Sequence, residues 1–513
     1  MKPILVSRDS RPQLFSERTL AYALVVAAVL FRSIVFTLWE QARFDSDEAV
    51  LGLMAKHLSE LRAFPVFMYG QHYILGVQAW MAAPVFRVVG PSVAALKLPL
   101  VFVNIAVAVL LVRILIKEAG LRPALAAVAS LFFALAVPGT ASELLRAYGG
   151  SVEPILYVLL IWLARERPVL MGLVLGIGFL HREFTIYAYG ALLLVELLNR
   201  SLLKPPTWLK HAVALAAAGA TMTLVNVAKQ FSSAAGPRTT IEQVLTPATN
   251  LAELDARMCV DVATVPAGLW AVATNHWAWL FGLHPQGVVE FGVNASSIQG
   301  MPGLWGVMLM LVVLVVVRLA GAGRLFLQLA RAEGSPTLLD RLRFPIYLTS
   351  TGLASAFMYA VGRCGVISIF TIRYDLFSVL IPIGLVAAFF AVERRRRLTL
   401  AAVILVSIWA LVSVFGHGRL LAEYLTRTPR NRDREAIAEL NKRQIRYGTA
   451  DYWIAYRLTF LSNERIILAA TGVSRIYDYN RVVAAHRANP IHLSRQPCPE
   501  GPKLADGVYL CRG

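Results

Sequence analysis

The residues whose chemistry stands out lie in a short acidic segment, RFDSDEAV, at positions 43–50. It places three carboxylates within four residues, Asp45, Asp47 and Glu48, a few residues after an apolar run at 19–38. A carboxylate can take a proton from an attacking hydroxyl group, and charges close to a bilayer are costly and tend to be functional. An acidic residue can also serve only as a helix N-cap, which accounts for one carboxylate better than for three. The cluster therefore predicts a reaction centre beside a membrane.

The composition indicates a polytopic, helical membrane protein. Of the 513 residues, 57% are hydrophobic and 16% are charged, and apolar runs of roughly 15–20 residues recur along the chain. Eleven candidate spans result: 19–38, 97–116, 124–137, 150–164, 169–180, 184–198, 212–228, 301–317, 344–361, 376–392 and 398–415. The net charge is +19, but the basic residues fall between the apolar runs. This placement indicates topology-setting charge and argues against nucleic acid as a partner.

Flanking charges predict the orientation. Arg165 and Arg167 precede residues 169–198, and Arg200 and Lys204 follow them. Because positive charge marks the cytoplasmic side, we expect this segment to be a hairpin that turns outside the membrane. Eleven crossings then leave the N-terminus in the cytoplasm and the C-terminus outside.

The same topology divides the chain into two expected domains. Residues 1–415 form the membrane domain, whose first outer loop, 39–95, holds the acidic segment. Residues 416–513 form a small periplasmic α/β domain. In that tail the patterns predict two helices and two strands, at 434–443, 451–461, 465–469 and 507–510.

The four cysteines all fall on the outer side by this topology, and their spacing fits no zinc motif. An oxidising compartment favours disulfides. We expect Cys498 and Cys511 to close a short loop near the end of the tail, and Cys259 with Cys364 is a weaker second pair.

Several motifs, taken in order, resemble the GT-C class of integral-membrane glycosyltransferases, and its family-39-like enzymes most of all. These include the protein O-mannosyltransferases and the lipid A aminoarabinose transferases. The motifs are FDSDEAVLGLMAKHL (44–58), FPVFMYGQHYILGVQAW (64–80), GGSVEP (149–154), TIRYDLF (371–377) and, in the tail, YGTADYWIAYRLTFLSNERII (447–467). The resemblance implies a GT-C fold in the bacterial cytoplasmic membrane, surrounded by membrane lipids. It also implies transfer of a sugar from a polyprenyl-phosphate donor to a lipid, glycan or protein acceptor on the outer face.

The resemblance assigns roles to the acidic segment. Asp47 corresponds to the catalytic base, and Glu48 would orient it or contact substrate. Asp45 with Asp47 makes an Asp-x-Asp pair similar to the metal-binding pair of the oligosaccharyltransferases. No cofactor is certain, and a divalent metal, Mg²⁺ or Mn²⁺, held by this pair stays open.

Six further residues are expected to contact substrate: Glu153, Arg182, Arg373, Tyr374, Tyr69 and His72. Arg373 is the preferred phosphate ligand, because a guanidinium group can bind two phosphate oxygens. Arg182 is a second phosphate contact or part of an internal ion pair, and Glu153 is a substrate contact or a helix cap. Tyr374 fits an interfacial position as well, whereas Tyr69 and His72 would line the sugar pocket.

A transporter or a flippase of lipid-linked glycans is the alternative function. Such proteins carry internal repeats and Gly/Pro-broken spans in matching halves, and neither is evident in the sequence. Their carboxylates also lie near mid-span, whereas the acidic segment lies just outside the first apolar run.

The topology can be tested with reporter fusions at residues 396 and 420. We expect a cytoplasmic signal at residue 396 and an extracytoplasmic signal at residue 420, since the apolar run at 398–415 lies between them. Two fusions that report the same side would contradict the eleven-span arrangement.

Overall fold

The computed structural model describes residues 16–232, 259–283, 303–331, 336–364, 367, 369–486, 491–499 and 501–512. Up to residue 426 these form mainly helices: α1 (Glu17–Leu38), α2 (Ser46–Ser59), α3 (Val77–Val89), α4 (Val93–Glu118), α5 (Pro123–Ala134), α6 (Pro138–Glu143), α7 (Glu153–Ala164), α8 (Pro168–His181), α9 (Thr185–Leu198), α10 (Pro205–Ala228), α11 (Val265–Ala271), α12 (Ala278–Leu280), α13 (Leu304–Arg331), α14 (Pro336–Val361), α15 (Leu380–Val392) and α16 (Arg396–Thr426).

Six of the described helices are long and apolar enough to cross a membrane: α1, α4, α10, α13, α14 and α16. Shorter apolar helices of 10–17 residues, which include α5, α7, α8 and α9, lie among them. The chain is an integral membrane protein. The number of crossings stays a prediction.

The short helices leave irregular backbone within the bundle. A helix of 12 residues, such as α5 or α7, rises only about 18 Å, whereas the hydrocarbon core is about 30 Å thick. Between them, residues 135–152 are all buried in protein. Irregular backbone is tolerated at membrane depth only when protein or a water-filled cavity surrounds it, so this segment can carry polar side chains.

The expected hairpin is present. Helix α8 ends at His181 and α9 begins at Thr185, which puts the turn where the flanking charges predict it. Helix α8 also packs tightly on α10, because a Cβ atom at Gly172 would lie 2.2 Å from the Ala214 carbonyl oxygen. A small residue at this position lets the two backbones approach.

The first outer loop contains a β-hairpin that the sequence analysis did not predict. Strand β1 (Phe67–Met68) pairs with the antiparallel strand β2 (Gln71–Leu75), and Gly70 at the turn has φ +67°. Helix α2 precedes the hairpin and α3 follows it. The hairpin is too short to give an alternating pattern of its own.

The last long helix continues past its predicted end. Helix α16 runs to Thr426, whereas the corresponding apolar run ends at 415. The described residues from 427 onward, called the tail domain below, contain three helices and five strands: α17 (Arg432–Lys442), β3 (Tyr447–Asp451), α18 (Tyr452–Leu461), β4 (Ile467–Thr471), α19 (Tyr477–Ala485), β5 (Ile491–Ser494), β6 (Lys503–Ala505) and β7 (Val508–Arg512).

The tail domain has the expected α/β class. Its sheet has the order β4-β3-β5-β7-β6, with β3 parallel to β4 and β5, and β7 antiparallel to β5 and β6. A disulfide joins Cys498 to Cys511 in β7, and a second disulfide joins Cys259 to Cys364. Strands β3, β5 and β6 and helix α19 were not predicted, because short half-buried elements give weak patterns.

The tail domain packs directly on the first outer loop through α18 and α2. Phe460 lies over Gly52, where a Cβ atom would come within 2.6 Å of its ring. Its ring also contacts Phe44 and Phe86, with centroid separations of 5.6 and 6.2 Å. A side chain at residue 52 would therefore push the two helices apart.

A buried carboxylate adds polar contacts to the same interface. Glu464 of the tail domain accepts hydrogen bonds from Lys56 at 2.6 Å, His57 at 3.0 Å and Tyr479 at 2.9 Å, and also pairs with Arg62. Burial alone would raise the pKa of Glu464, but His57, Arg62 and Lys56 lower it well below its ordinary value. The carboxylate is therefore held ionised.

Replacing Glu464 by Gln should weaken this interface in a pH-dependent way. A carboxylate whose pKa is depressed on folding stabilises the protein above its unfolded value of about 4.3, and that contribution is lost as the pH falls below about 5. We expect Glu464→Gln to lower the Tm at neutral pH and to flatten the decline in Tm between about pH 5 and pH 2. The measurement is thermal unfolding in detergent across this range.

Glu439→Gln is the matched control, since among the described residues the Glu439 carboxylate pairs with the neighbouring Arg443 alone, on the tail-domain surface. It should behave like the wild type. Parallel Tm–pH curves for the wild type and Glu464→Gln would contradict the assignment.

Candidate active site

A cavity of about 730 Å³ lies where residues 39–95 (the first outer loop of the expected topology), one end of the helical bundle and the tail domain meet. It is lined by residues from all three parts: Phe44, Asp45, Asp47, Arg146, Arg373, Arg432, Tyr452, Trp453, Arg457, Val473, Arg475, Arg495, Asp506, Gly507 and Val508. Two of the three residues of the acidic segment therefore face one space together with Arg373.

Asp47 is the carboxylate that the cavity leaves accessible. It lies in the first turn of α2, with 19% of its side chain exposed. One oxygen accepts a hydrogen bond of 2.6 Å from the Tyr452 hydroxyl, and the other lies 3.7 Å from the Arg373 guanidinium. Burial and the neighbouring Asp47 both raise the pKa of Tyr452, so this phenol stays a hydrogen-bond donor. Asp47 thus stands between a donor from the tail domain and a cation from the membrane part.

Asp45 lines the cavity, but both of its oxygens are engaged. One accepts a hydrogen bond of 3.2 Å from the Glu48 backbone N–H, which makes Asp45 the N-cap of α2, and the other pairs with Arg146. Burial alone would raise the pKa of Asp45, but Arg146 and Arg43 bring it below its ordinary value. The helix-cap interpretation therefore applies to this one carboxylate of the three.

Glu48 does not line the cavity. Successive helical residues point about 100° apart, so the side chain after Asp47 turns into the bundle and is fully buried. It accepts a hydrogen bond of 3.0 Å from the Ala147 N–H and lies 3.5 Å from the Lys97 ammonium. Burial raises the pKa of Glu48. The expectation that Glu48 contacts substrate is not met in this arrangement.

A buried charge network surrounds these two carboxylates, and sequence reasoning missed most of it. Arg43 pairs with Glu143, and the Arg146 guanidinium lies 3.4 Å from the same carboxylate. Lys97 also donates to the Arg43 carbonyl oxygen. With Asp45 and Glu48, the network has three acidic and three basic side chains and is electrically balanced. A signal exists: SELLRAYGG (142–150) places Glu143 and Arg146 three residues apart between two apolar runs.

Arg373 enters the cavity from a cluster of aromatic rings. Its guanidinium lies 5.1 Å from the Tyr374 ring centroid and 5.5 Å from that of Tyr148. A second arginine, Arg363, also lies over the Tyr374 ring, 5.3 Å from its centroid. The sequence analysis did not select Arg363. Tyr374 does not line the cavity itself, so it supports Arg373 by cation–π contact.

Arg182 and Glu153 instead hold the buried turn before α7. Arg182 donates to the Gly149 carbonyl oxygen at 2.5 Å and to that of Tyr148 at 3.4 Å. Glu153 begins α7 and accepts a hydrogen bond of 2.9 Å from the Ser151 N–H. Neither lines the cavity. Arg182 therefore contacts backbone carbonyl groups. Val152 is the N-cap of α7 and makes no side-chain cap hydrogen bond, so Glu153, the first residue of the helix, is not its cap. The substrate contacts expected of Arg182 and Glu153 stay predictions.

Tyr69 and His72 were expected in the sugar pocket. Tyr69 is buried, and its hydroxyl lies 3.0 Å from His57 Nδ1. It therefore belongs to the interface around Glu464 and not to the cavity. His72 lies in β2, but its side chain falls outside the described residues.

The cavity does not fit a divalent metal at Asp45 and Asp47. The Asp45 oxygens are already taken by Arg146 and a backbone N–H, and six arginines line the same space. Within the described ranges, no group of three or more His, Cys, Asp or Glu side chains is suited to hold a metal ion. Hard divalent cations require several free oxygen ligands.

Comparison with solved structures identifies the fold. ArnT from Cupriavidus metallidurans, in a crystal structure bound to undecaprenyl phosphate, matches 95% of this chain and 97% of its own, with 12% identity and a TM-score of 0.52. An oligosaccharyltransferase from Archaeoglobus fulgidus matches 92% of this chain and 69% of its own, with 11% identity and a TM-score of 0.46. No family model and no curated protein matches the sequence. The chain thus has the GT-C fold that the motifs predicted.

Replacing Arg146 should destabilise the protein strongly. Arg146→Met leaves Asp45 and Glu143 buried with less compensation, and breaking a buried pair from one side costs about 3–5 kcal/mol. The measurement is denaturant unfolding in detergent. The exposed pair of Arg481 with Asp478 supplies the control, since Arg481→Ala should cost at most about 1 kcal/mol. Equal effects of the two substitutions would show that the network does not hold α2 in place.

Proposed function

We propose that the protein is a glycosyltransferase that moves a sugar from a polyprenyl-phosphate donor to an acceptor on the outer face of the bacterial cytoplasmic membrane. The observation that carries the proposal is the pairing of an accessible carboxylate, Asp47, with Arg373 in one cavity at the end of the helical bundle. The GT-C fold and the undecaprenyl phosphate bound to ArnT support a lipid-linked donor. The acceptor is a lipid, a glycan or a protein.

The donor's chemistry explains where the site lies. Its polyprenyl chain stays in the bilayer, while its phosphate and sugar reach the outer surface of the bundle. Arg373 can bind two phosphate oxygens and stabilise the charge that the phosphate gains on leaving. The aromatic rings of Tyr374 and Tyr148 hold its guanidinium in place.

Asp47 supplies the proton acceptor. The acceptor oxygen forms a bond to the anomeric carbon, the bond from that carbon to the phosphate oxygen breaks, and the hydroxyl proton passes to the Asp47 carboxylate. The polyprenyl phosphate leaves with the bonding electron pair. The hydrogen bond from Tyr452 orients Asp47. Because the donor set does not fit a metal, no step uses one.

This proposal places the N-terminus in the cytoplasm and the tail domain in the periplasm. The two disulfides support an oxidising location for residues 259, 364, 498 and 511. A transporter or flippase is not favoured, since Asp45 and Asp47 lie at the start of α2, in the loop that follows the first span.

Asp47→Asn should abolish most of the transfer and leave donor binding intact. The amide keeps shape and hydrogen bonding but cannot take a proton. A positioned base contributes about 10²- to 10⁴-fold, so turnover should fall by at least about a hundredfold. The test is transfer from radiolabelled undecaprenyl-phosphate sugars by the reconstituted protein. Glu439→Gln serves as the surface control, and near-normal transfer by Asp47→Asn would place the base elsewhere.

Arg373→Ala should give a defect of a different kind. Loss of the guanidinium removes charge from the phosphate site, so affinity for undecaprenyl phosphate should fall by about tenfold or more, which corresponds to a hydrogen bond to a charged group. The measurement is calorimetric titration of each purified variant with undecaprenyl phosphate. Unchanged affinity in Arg373→Ala, with Asp47→Asn also fully active, would refute the glycosyltransferase assignment.

A further inference from the structure

The tail-domain wall of the cavity is strongly cationic. It contributes Arg432, Arg457, Arg475 and Arg495, which face Asp45, Asp47, Arg146 and Arg373 across the space. Counting Asp506, six arginines stand against three aspartates, an excess of three positive charges in the lining. Asp45 is already paired with Arg146, and Asp506 lies 2.5 Å from Lys503. The acidic residues of the lining therefore compensate the tail-domain arginines only in part.

Two of these arginines have open guanidinium groups. In the part of the chain that the structure describes, the side chains of Arg432 and Arg495 have no hydrogen-bond or ion-pair partner. Arg457 is partly paired. Its guanidinium lies 3.2 Å from Asp433, while its Nε has no hydrogen-bond partner among the described residues. Burial lowers the pKa of Arg457, and both Arg432 and Arg495 oppose its positive charge.

Arg475 differs from the other three. It donates to the Gly70 carbonyl oxygen at 2.8 Å and so connects the tail domain to the β-hairpin of the first outer loop. The ligand-binding part of the wall is therefore Arg432, Arg457 and Arg495, called the arginine triad below. Like charges gathered around a cavity favour an anion there, and guanidinium groups match phosphate and carboxylate oxygens.

We infer that the arginine triad binds an anionic group, phosphate or carboxylate, on the acceptor. This inference rests on the proposed function, in which Arg373 on the opposite wall binds the donor phosphate. A second anion site then belongs to the second substrate. Asp47 contacts both walls of the cavity: it lies 3.7 Å from Arg373 and accepts a hydrogen bond from Tyr452, which begins the helix that also carries Arg457. The acceptor is held by its charge while its hydroxyl faces Asp47.

The test separates the two anion sites with simple probes. Full-length protein in phosphatidylcholine nanodiscs is saturated with undecaprenyl phosphate and then titrated with inorganic phosphate by calorimetry. The wild type should still bind phosphate, because undecaprenyl phosphate (the carrier) occupies only the Arg373 site. The double variant Arg432→Gln/Arg495→Gln should bind phosphate at least about tenfold more weakly, since two charge-assisted contacts are lost. Its affinity for undecaprenyl phosphate should be unchanged.

Arg443→Gln is the matched control, because it removes an arginine charge from the tail domain outside the cavity lining. It should bind both probes like the wild type. The inference is overturned if the double variant binds phosphate as tightly as the wild type, or if the carrier abolishes phosphate binding to the wild type. Failure of the proposed function would show separately, as carrier binding that is insensitive to Arg373→Ala.

A second arm identifies the source of the anion. Nanodiscs that contain phosphatidylglycerol compete with inorganic phosphate if the triad binds a lipid-borne anion, and leave the titration unchanged if it binds a water-borne one. The competition, or the phosphate binding that persists without it, is assigned to the triad when the double variant Arg432→Gln/Arg495→Gln no longer shows it.

Discussion

The ion pair between Asp45 and Arg146 is the constraint on which the site depends. It joins the N-cap of α2 to the buried segment between α5 and α7. Charges removed from water are tolerated only with partners, so α2 can dock only where Arg146, Arg43 and Lys97 meet its acidic residues. Asp47, two residues beyond the cap, is positioned by this docking and remains accessible because none of the network's cations neutralises it.

The same constraint explains why short helices suit this fold. Because α5 and α7 have only 12 residues each, the chain between them forms a buried segment, the short helix α6 with irregular backbone on either side, which holds Glu143 and Arg146 at the end of the bundle beside the cavity. Longer helices would have placed these residues within regular spans. The polar ends of short apolar helices are therefore part of the site and not imperfections in the membrane domain.

Much of this arrangement follows from the sequence, and the failures have physical reasons. Flanking charge predicted that residues 169–198 form a hairpin and not one long helix, and the order of the motifs led us to expect Asp47 and Arg373 in one site. The sequence alone did not show that Asp47 faces the cavity while the adjacent Glu48 faces the bundle. That distinction depends on how α2 is rotated about its axis relative to the bundle. The charge network was missed because its members come from distant segments, each unremarkable by itself. The tail arginines lie on four separate segments that only the folded domain unites.

The hydrogen bond from Tyr452 to Asp47 joins two parts of the chain that the ribosome makes at very different times. Asp47 belongs to the first tenth of the 513-residue chain, whereas Tyr452 belongs to the last eighth. A ribosome-bound chain can insert its first spans and form the network around α2 long before the tail domain exists. The cavity is completed only when the tail domain has folded and docked on the first outer loop. A chain without the tail domain therefore lacks one wall of the cavity and the hydrogen bond from Tyr452 that holds Asp47.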